Sequence, residues 1–204
     1  MNSRSLLRIA AISLAALSLG ACSTVTTRYY TLAPTDNHAP VATAAPGFQF
    51  EMASVRMPVQ VDQPQLVVRQ TTGTLAILEN DRWGAPLADE FHDALTSQLE
   101  ARLGTRDLAG MPKLPGRPVV SLQTDVRRFD SLPGSYALVD AVWSLSLRAD
   151  DQPRRTLTCS SVIRQPAGVA ITDLVLAHQQ VIGQLASVMA NTTKRFAAGD
   201  STCP

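Results

Sequence analysis

The strongest constraint on the fold of this chain is an alternation of apolar and polar residues in its second half. The alternation runs along Val120–Arg127 and again along Val139–Arg148. A period of two residues places successive side chains on opposite faces of a strand, so one face of each run is buried and the other is wet. The Leu132–Ser135 segment between the two runs contains a Pro-Gly turn signal. The pattern therefore predicts an antiparallel hairpin with one face in the core.

Further strands are expected where aromatic and β-branched residues cluster or alternate. They are Tyr29–Leu32, Phe48–Met57, Leu66–Gln70, Thr74–Glu79 and Arg154–Arg164. In the second of these, the apolar parity switches near Ala53-Ser54, which predicts a bulge. The third and fourth are separated by three residues that include Gly73, which is typical of a hairpin.

Two amphipathic helices are predicted from apolar residues that recur every three or four positions. The first begins near Pro86 and ends at Gly104. The second runs from about Thr172, which is expected to cap it, to Phe196. Because Gly183 weakens that helix by about 1 kcal/mol, we expect a close approach to a neighbouring element there. The order of elements predicts an α+β fold, an antiparallel β-sheet with two long amphipathic helices packed on one side.

The N-terminus has the features of a secretory signal. Arg4 and Arg8 precede an apolar run, Ile9–Leu19, that is well short of the ~20 residues needed to span a bilayer. Small residues and then Cys22 follow, which is the pattern of a bacterial lipobox. Residues 1–21 are thus predicted to be a lipoprotein signal peptide, with fatty acids such as palmitate attached at Cys22. The alternative is an ordinary signal peptide followed by an accidental cysteine.

Ser23 follows the lipobox cysteine, where Asp commonly retains lipoproteins in the inner membrane. We therefore expect an anchor in the outer membrane of a Gram-negative bacterium, facing the periplasm. The mature chain keeps 183 residues with 16 basic and 17 acidic side chains, which argues against a nucleic-acid partner. We divide it into a lipidated tether, residues 22–47, with a short strand and a Pro/Ala-rich linker, and a single α+β domain, residues 48–204.

The other two cysteines suit an oxidising compartment. With Cys22 assigned to the lipid, Cys159 and Cys203 remain as an even pair. We predict a disulfide between them, with Cys159 on the inward face of its strand. The alternative is two unpaired thiols.

Motifs that carry enzyme chemistry are missing from the sequence. It contains no phosphate-binding loop, Gly-x-Ser-x-Gly elbow, His-Glu-x-x-His helix or paired-cysteine metal site, so we expect neither an enzyme nor a cofactor. His178 lies on the apolar stripe of the last helix and is interpreted as a packed, hydrogen-bonded core residue. Asp89, Glu90 and Asp93 suit the dipole of the first helix. Trp143 is expected in the core, and Trp83 is the freer of the two tryptophans.

Two further segments carry a resemblance to a known family. They are Asp62–Arg69, which reads DQPQLVVR, and Arg82–Leu87, which reads RWGAPL. With the lipobox and the early YYTL segment, they make the chain similar to the PqiC/YmbA-type lipoproteins, also called ABC-type transport auxiliary lipoproteins. Gly84-Ala85 is a minor departure, since a small residue and often an acid are expected there.

The resemblance implies an auxiliary subunit of an intermembrane lipid transport system. Its partners would be an MCE-domain periplasmic protein and the inner-membrane partner of that protein, and subunits could form a ring around the MCE tunnel. The implied contact residues lie in the two motif segments: Asp62, Gln65, Arg69, Arg82 and Trp83. Two alternatives stay open. One is a structural lipoprotein of a secretion or pilus assembly, and the other is a stand-alone lipid carrier with an apolar pocket.

Overall fold

A computed structural model describes residues 26–33, 45–71, 73–150 and 152–204. Cys22 and most of the 22–47 tether lie outside the described residues. The elements in chain order are β1 (Arg28–Tyr30), β2 (Gln49–Arg56), β3 (Gln65–Arg69), β4 (Leu75–Trp83), α1 (Leu87–Leu103), β5 (Val119–Leu132), β6 (Tyr136–Arg148), β7 (Arg155–Pro166) and α2 (Ile171–Ala197). The chain is therefore α+β, as the element order predicts.

A four-stranded sheet carries both helices and is ordered β2-β5-β6-β7. Strands β5 and β6 form the predicted antiparallel hairpin, in which Leu122 pairs with Leu145 and both are buried. The predicted bulge in β2 is confirmed, because the register shifts between Met52 and Ser54. Strand β2 runs parallel to β5, since the chain returns to this sheet only after the β3–β4 hairpin and α1 have been formed.

A separate three-stranded sheet has the order β1-β4-β3. The predicted hairpin is present as the antiparallel pair β3 and β4, while β1 lies parallel to β4. The expectation of one wholly antiparallel sheet is thus incomplete, because two of the strand pairs are parallel and the strands divide into two sheets. Parallel neighbours are joined by long crossovers that carry no local sequence signal.

The helix ends are close to their predicted positions. Helix α1 follows Pro86, and Gly104 ends it with a left-handed φ of 71°, a conformation that glycine adopts without steric cost. Helix α2 starts after Ala170, with no side-chain cap, so the cap expected from Thr172 is wrong. A Cβ on Gly183 would lie 3.9 Å from Arg102 Nη2, which is ordinary contact. The close approach expected at Gly183 is therefore absent.

One hydrophobic core joins the helices to both sheets. Leu32 is fully buried in it and follows β1, so the folded part of the described chain includes β1, upstream of the expected domain boundary at residue 48. At the other terminus, Cys159 forms the predicted disulfide with Cys203 across a Cα–Cα distance of 5.6 Å. Cys159 is buried, so the bond fastens the C-terminal tail to the core.

Candidate partner-binding surface

The two motif segments meet in space at the β3–β4 hairpin. Gln65 pairs with Arg82 across the two strands. The Trp83 amide donates a hydrogen bond of 2.8 Å to the Pro64 carbonyl, just before β3. The segments are 13 residues apart in the chain, yet they form a single junction at one end of the small sheet. The two motif segments of the resemblance thus belong to one structural unit.

Asp62 connects this junction to the first helix. Its Oδ1 accepts a hydrogen bond of 3.2 Å from the Ala88 amide. The first amides of a helix have no intrahelical acceptor, and α1 has no side-chain cap of its own. Asp62, 26 positions upstream of Ala88, therefore acts as a remote cap and sets the position of the loop before β3 relative to α1.

Arg69 joins the small sheet to the large one. Its Nη2 lies 2.7 Å from Oδ1 of the buried Asp130 on β5, and Arg128 pairs with the other carboxylate oxygen at 2.5 Å. Burial alone raises the pKa of Asp130, but the hydrogen bonds and charges of the two arginines outweigh it and leave that pKa below its usual value. The Asp130 carboxylate is therefore ionised and bound between the sheets.

Trp83 is a core residue and not an accessible one. Only 4 % of its surface is exposed, and its ring packs edge-on against Phe129 at 6.2 Å between centroids. Both tryptophans are buried. Trp83 was expected to be the freer of the two, but its side chain is not accessible to a partner. Gln65 and Arg82 are half-buried at the surface of the junction. Gln65 Nε2 contacts Glu79 Oε2 at 3.4 Å, and Arg82 Nε donates to the Glu79 carbonyl at 3.3 Å.

Strand β1 is clamped by two carboxylates, Asp81 and Glu90, through contacts that the sequence does not predict. Asp81 accepts hydrogen bonds from Arg28 Nε at 2.8 Å and from the Tyr30 hydroxyl at 3.0 Å. Burial, together with that carboxylate, raises the pKa of Tyr30. Glu90 on α1 accepts from the Thr31 hydroxyl at 2.7 Å and from the Leu32 amide at 2.8 Å. The sequence predicts that Glu90 interacts with the helix dipole. Its hydrogen bonds are to a distant part of the chain, and no local sequence pattern predicts them.

His178 is buried where α2 crosses β5. Its Nε2 lies 2.8 Å from the Ser131 hydroxyl, and its ring stacks on Phe129 at 4.0 Å. This confirms the interpretation as a packed, hydrogen-bonded histidine. Burial lowers the pKa of His178 to about 3, against a smaller opposing effect of the Asp130 charge, so the ring is neutral. Nδ1 makes no hydrogen bond with the described residues. In the tautomer that carries its proton on Nε2, the unpaired Nδ1 is an acceptor, so no ring N–H is left without a partner.

A groove of about 730 Å³ lies at the far end of the four-stranded sheet, where both helices end. Its apolar walls include Phe48, Leu103 and Leu147. Arg155 and Lys194 are the charged residues among its described lining, which includes no acidic residue. The groove thus combines an apolar surface with positive charge.

A family model identifies the chain. The model describes the ABC-type transport auxiliary lipoprotein component, and it matches residues 30–190, from β1 to the last turns of α2. The chain belongs to this auxiliary lipoprotein family. None of the curated proteins matches the chain significantly.

Two solved structures share the fold of this auxiliary lipoprotein. One is an uncharacterized protein, 15 % identical, with a TM-score of 0.62 over 82 % of this chain and 99 % of its own. The other comes from Xanthomonas campestris and is 22 % identical, with a TM-score of 0.59 over 85 % of this chain and 99 % of its own. At these identities the likeness is one of fold.

The matched region contains the whole junction between the motif segments and those contacts of the clamp on β1 that involve Tyr30 and Leu32. Within the part of the auxiliary lipoprotein that the structure describes, no helix has the length and apolar character required to cross a bilayer.

Proposed function

We propose that this auxiliary lipoprotein is acylated at Cys22 and held on the periplasmic face of the outer membrane, where it docks the distal end of an MCE tunnel in an intermembrane lipid transport system. The observation that carries the proposal is the family match over residues 30–190. That match begins just beyond a lipobox whose charge, apolar length and cysteine all occur in the expected order. In this role the protein positions other subunits and performs no reaction of its own.

The docking surface in this proposal is the junction of the motif segments. Gln65, Arg82 and Asp62 form its accessible part, and the buried Trp83 supports it from beneath. Arg69 lies at the other end of β3, where it fixes the strand to β5 through Asp130. Such a division is common at interfaces, in which a few accessible residues make the contacts and buried neighbours hold them in place. Arginine is also enriched in interface cores because its planar guanidinium donates to several acceptors.

The proposal is tested by crosslinking the tagged, full-length lipoprotein in native membranes and identifying the captured proteins by mass spectrometry. We expect recovery of an MCE-domain protein, and its loss in Arg82→Ala. Arg127→Ala is the matched control, because Arg127 is an exposed strand arginine on β5 that pairs only locally, with Asp125 at 3.3 Å. Capture of a secretion or pilus component instead, or equal capture by both variants, contradicts the docking proposal.

A second candidate is a stand-alone lipid carrier, favoured by the apolar groove between the helix ends and the large sheet. Arg155 and Lys194 beside its apolar walls suit the head and chain of an anionic amphiphile. This candidate predicts that the isolated protein co-purifies with lipid. It also predicts that Leu147→Glu, which places a carboxylate in the groove wall, abolishes this co-purification. Lipid-free protein from native membranes rules the carrier out and leaves the docking proposal untouched.

A further inference from the structure

We infer that the free edge of the three-stranded sheet, at β1 and the adjoining part of β4, rests on the lipid bilayer that holds the anchor. The inference rests on the proposed acylation of Cys22 and adds a defined orientation of the domain on the membrane. It assigns to Tyr29 and Ile77 a contact with the headgroup and upper acyl region of phospholipids.

Covalent geometry limits how far this edge can be from the bilayer. A residue spans at most about 3.6 Å of chain, so the Cα of Thr26 lies within ~14 Å of the Cα of Cys22 and that of Arg28 within ~22 Å, whatever the conformation between them. Strand β5 alone, with its 14 residues, is about 46 Å long. An acylated Cys22 therefore keeps the start of β1 within about 22 Å of the anchor, whereas the far end of β5 can lie well away from it.

The attachment point is rigid as well as close. Asp81 holds both Arg28 and Tyr30, and Glu90 holds the backbone of Leu32 directly after the strand. Gln179 of α2 adds a hydrogen bond of 3.0 Å to the Thr31 carbonyl. Since the β1 segment is fixed to both helices in this way, the short tether restrains the position of the whole domain and not only of a loose strand.

Two exposed side chains at the edge are of the kind that a bilayer surface accepts, and they lie beside the charged Arg28, Glu79 and Asp81. Tyr29 is 69 % exposed and Ile77 is 50 % exposed. Ile77 lines a depression of about 540 Å³ together with Thr26, the fourth residue after the anchor. Tyrosine favours the membrane–water interface, since its ring is apolar and its hydroxyl is polar. Moreover, among the described strands β1 pairs with β4 alone, so contact with lipid headgroups also covers a strand edge that no described strand covers.

The test places a tryptophan at the edge of the acylated, full-length protein. Tyr29→Trp and Ile77→Trp are reconstituted into phosphatidylcholine vesicles, with or without bromine near the headgroup end of the acyl chains. The native Trp83 and Trp143 are buried and give a constant background. The control is Leu114→Trp, an exposed position beside Gln49 at the opposite end of β5. We expect the emission of the introduced tryptophan at either edge position to be quenched in brominated vesicles, since its ring lies at the interface, and the Leu114→Trp signal to be unchanged.

The outcomes separate the inference from the anchor on which it depends. If the native protein floats with vesicles, Cys22→Ser does not, and neither edge tryptophan is quenched, then the anchor stands and the membrane-facing edge is wrong. Equal quenching at the edge and at the control position also overturns a defined orientation. If Cys22→Ser floats as well as the native protein, or neither floats, the proposed acyl anchor fails and this inference fails with it.

Discussion

Replacing His178 with Gln is expected to remove a steep loss of stability on acidification. Burial of the ring lowers its pKa to about 3 in the folded chain, whereas an unfolded chain has a histidine pKa near 6.5. Between these values the unfolded state binds a proton that the folded state does not. Stability from the neutral ring is therefore complete above about pH 6.5 and is lost as the pH falls toward 3.

The size of the effect follows from the same two values. From pH 7 to pH 5 the unfolded state gains about 2 kcal/mol from protonation of this histidine. The size of this change at pH 5 depends on the pKa of His178 in the unfolded chain. The exact pKa in the folded chain has little effect, because any value well below 5 leaves the ring of the native protein neutral. Carboxylates with lowered pKa values, such as Asp130 and Glu51, lose their contribution only below about pH 4.5 and do not enter this window.

The assay is urea unfolding of the mature chain carrying Cys22→Ser, followed by circular dichroism at several pH values from 7 to 5. Gln carries a terminal amide that approaches the position of Nε2 near Ser131 and does not titrate. We expect the free energy of unfolding to fall by about 2 kcal/mol more in the parent protein than in His178→Gln. His92→Gln, the same change on the surface of α1, retains the steep dependence. Equal slopes for the parent and His178→Gln would refute the reasoning.

Three further substitutions test other contacts by thermal or urea unfolding. Asp62→Ala removes the remote cap on the Ala88 amide and should cost about 1 kcal/mol; no loss would show that the contact does not stabilise α1. Gly183→Ala should raise stability by about 0.5–1 kcal/mol, since the new methyl group meets only ordinary contacts, and a loss would reveal the close packing that the structure lacks. Cys203→Ser opens a loop with a sequence separation of 44 and should cost at most about 4 kcal/mol, whereas reduction of the parent should reproduce that loss and leave the variant unchanged.

Features that depend on local patterns were predictable from the sequence. The β5–β6 hairpin follows from its alternation and its Pro-Gly turn, and α1 ends at Gly104 because glycine accepts a left-handed φ. The disulfide also followed, because a lipidated Cys22 leaves an even pair of cysteines in an oxidising compartment.

The position of Trp83 shows why other features were not predictable. Ala76 and Leu78 point toward the core from β4, and a strict period of two would then place Trp83 on the opposite face. The register shifts at Gln65, where the chain inserts extra residues on β4, and this brings Asp81 and Trp83 inward. Similarly, Arg69 donates a hydrogen bond to Asp130, which lies 61 positions away in the chain. No sequence pattern within either segment predicts that contact.

The placement of the buried Asp81 and Asp130 and of the half-buried Glu90 suits a positioning role. Asp81 holds β1 to β4, Glu90 holds the segment after β1 to α1, and Asp130 holds β3 to β5. Buried ion pairs add modestly to net stability, because desolvation offsets much of the attraction, but they admit few alternative geometries. These carboxylates are all satisfied by partners within the chain. Such an arrangement fixes β1, α1 and the two sheets relative to one another, and the docking role that we propose requires a motif junction held in this way.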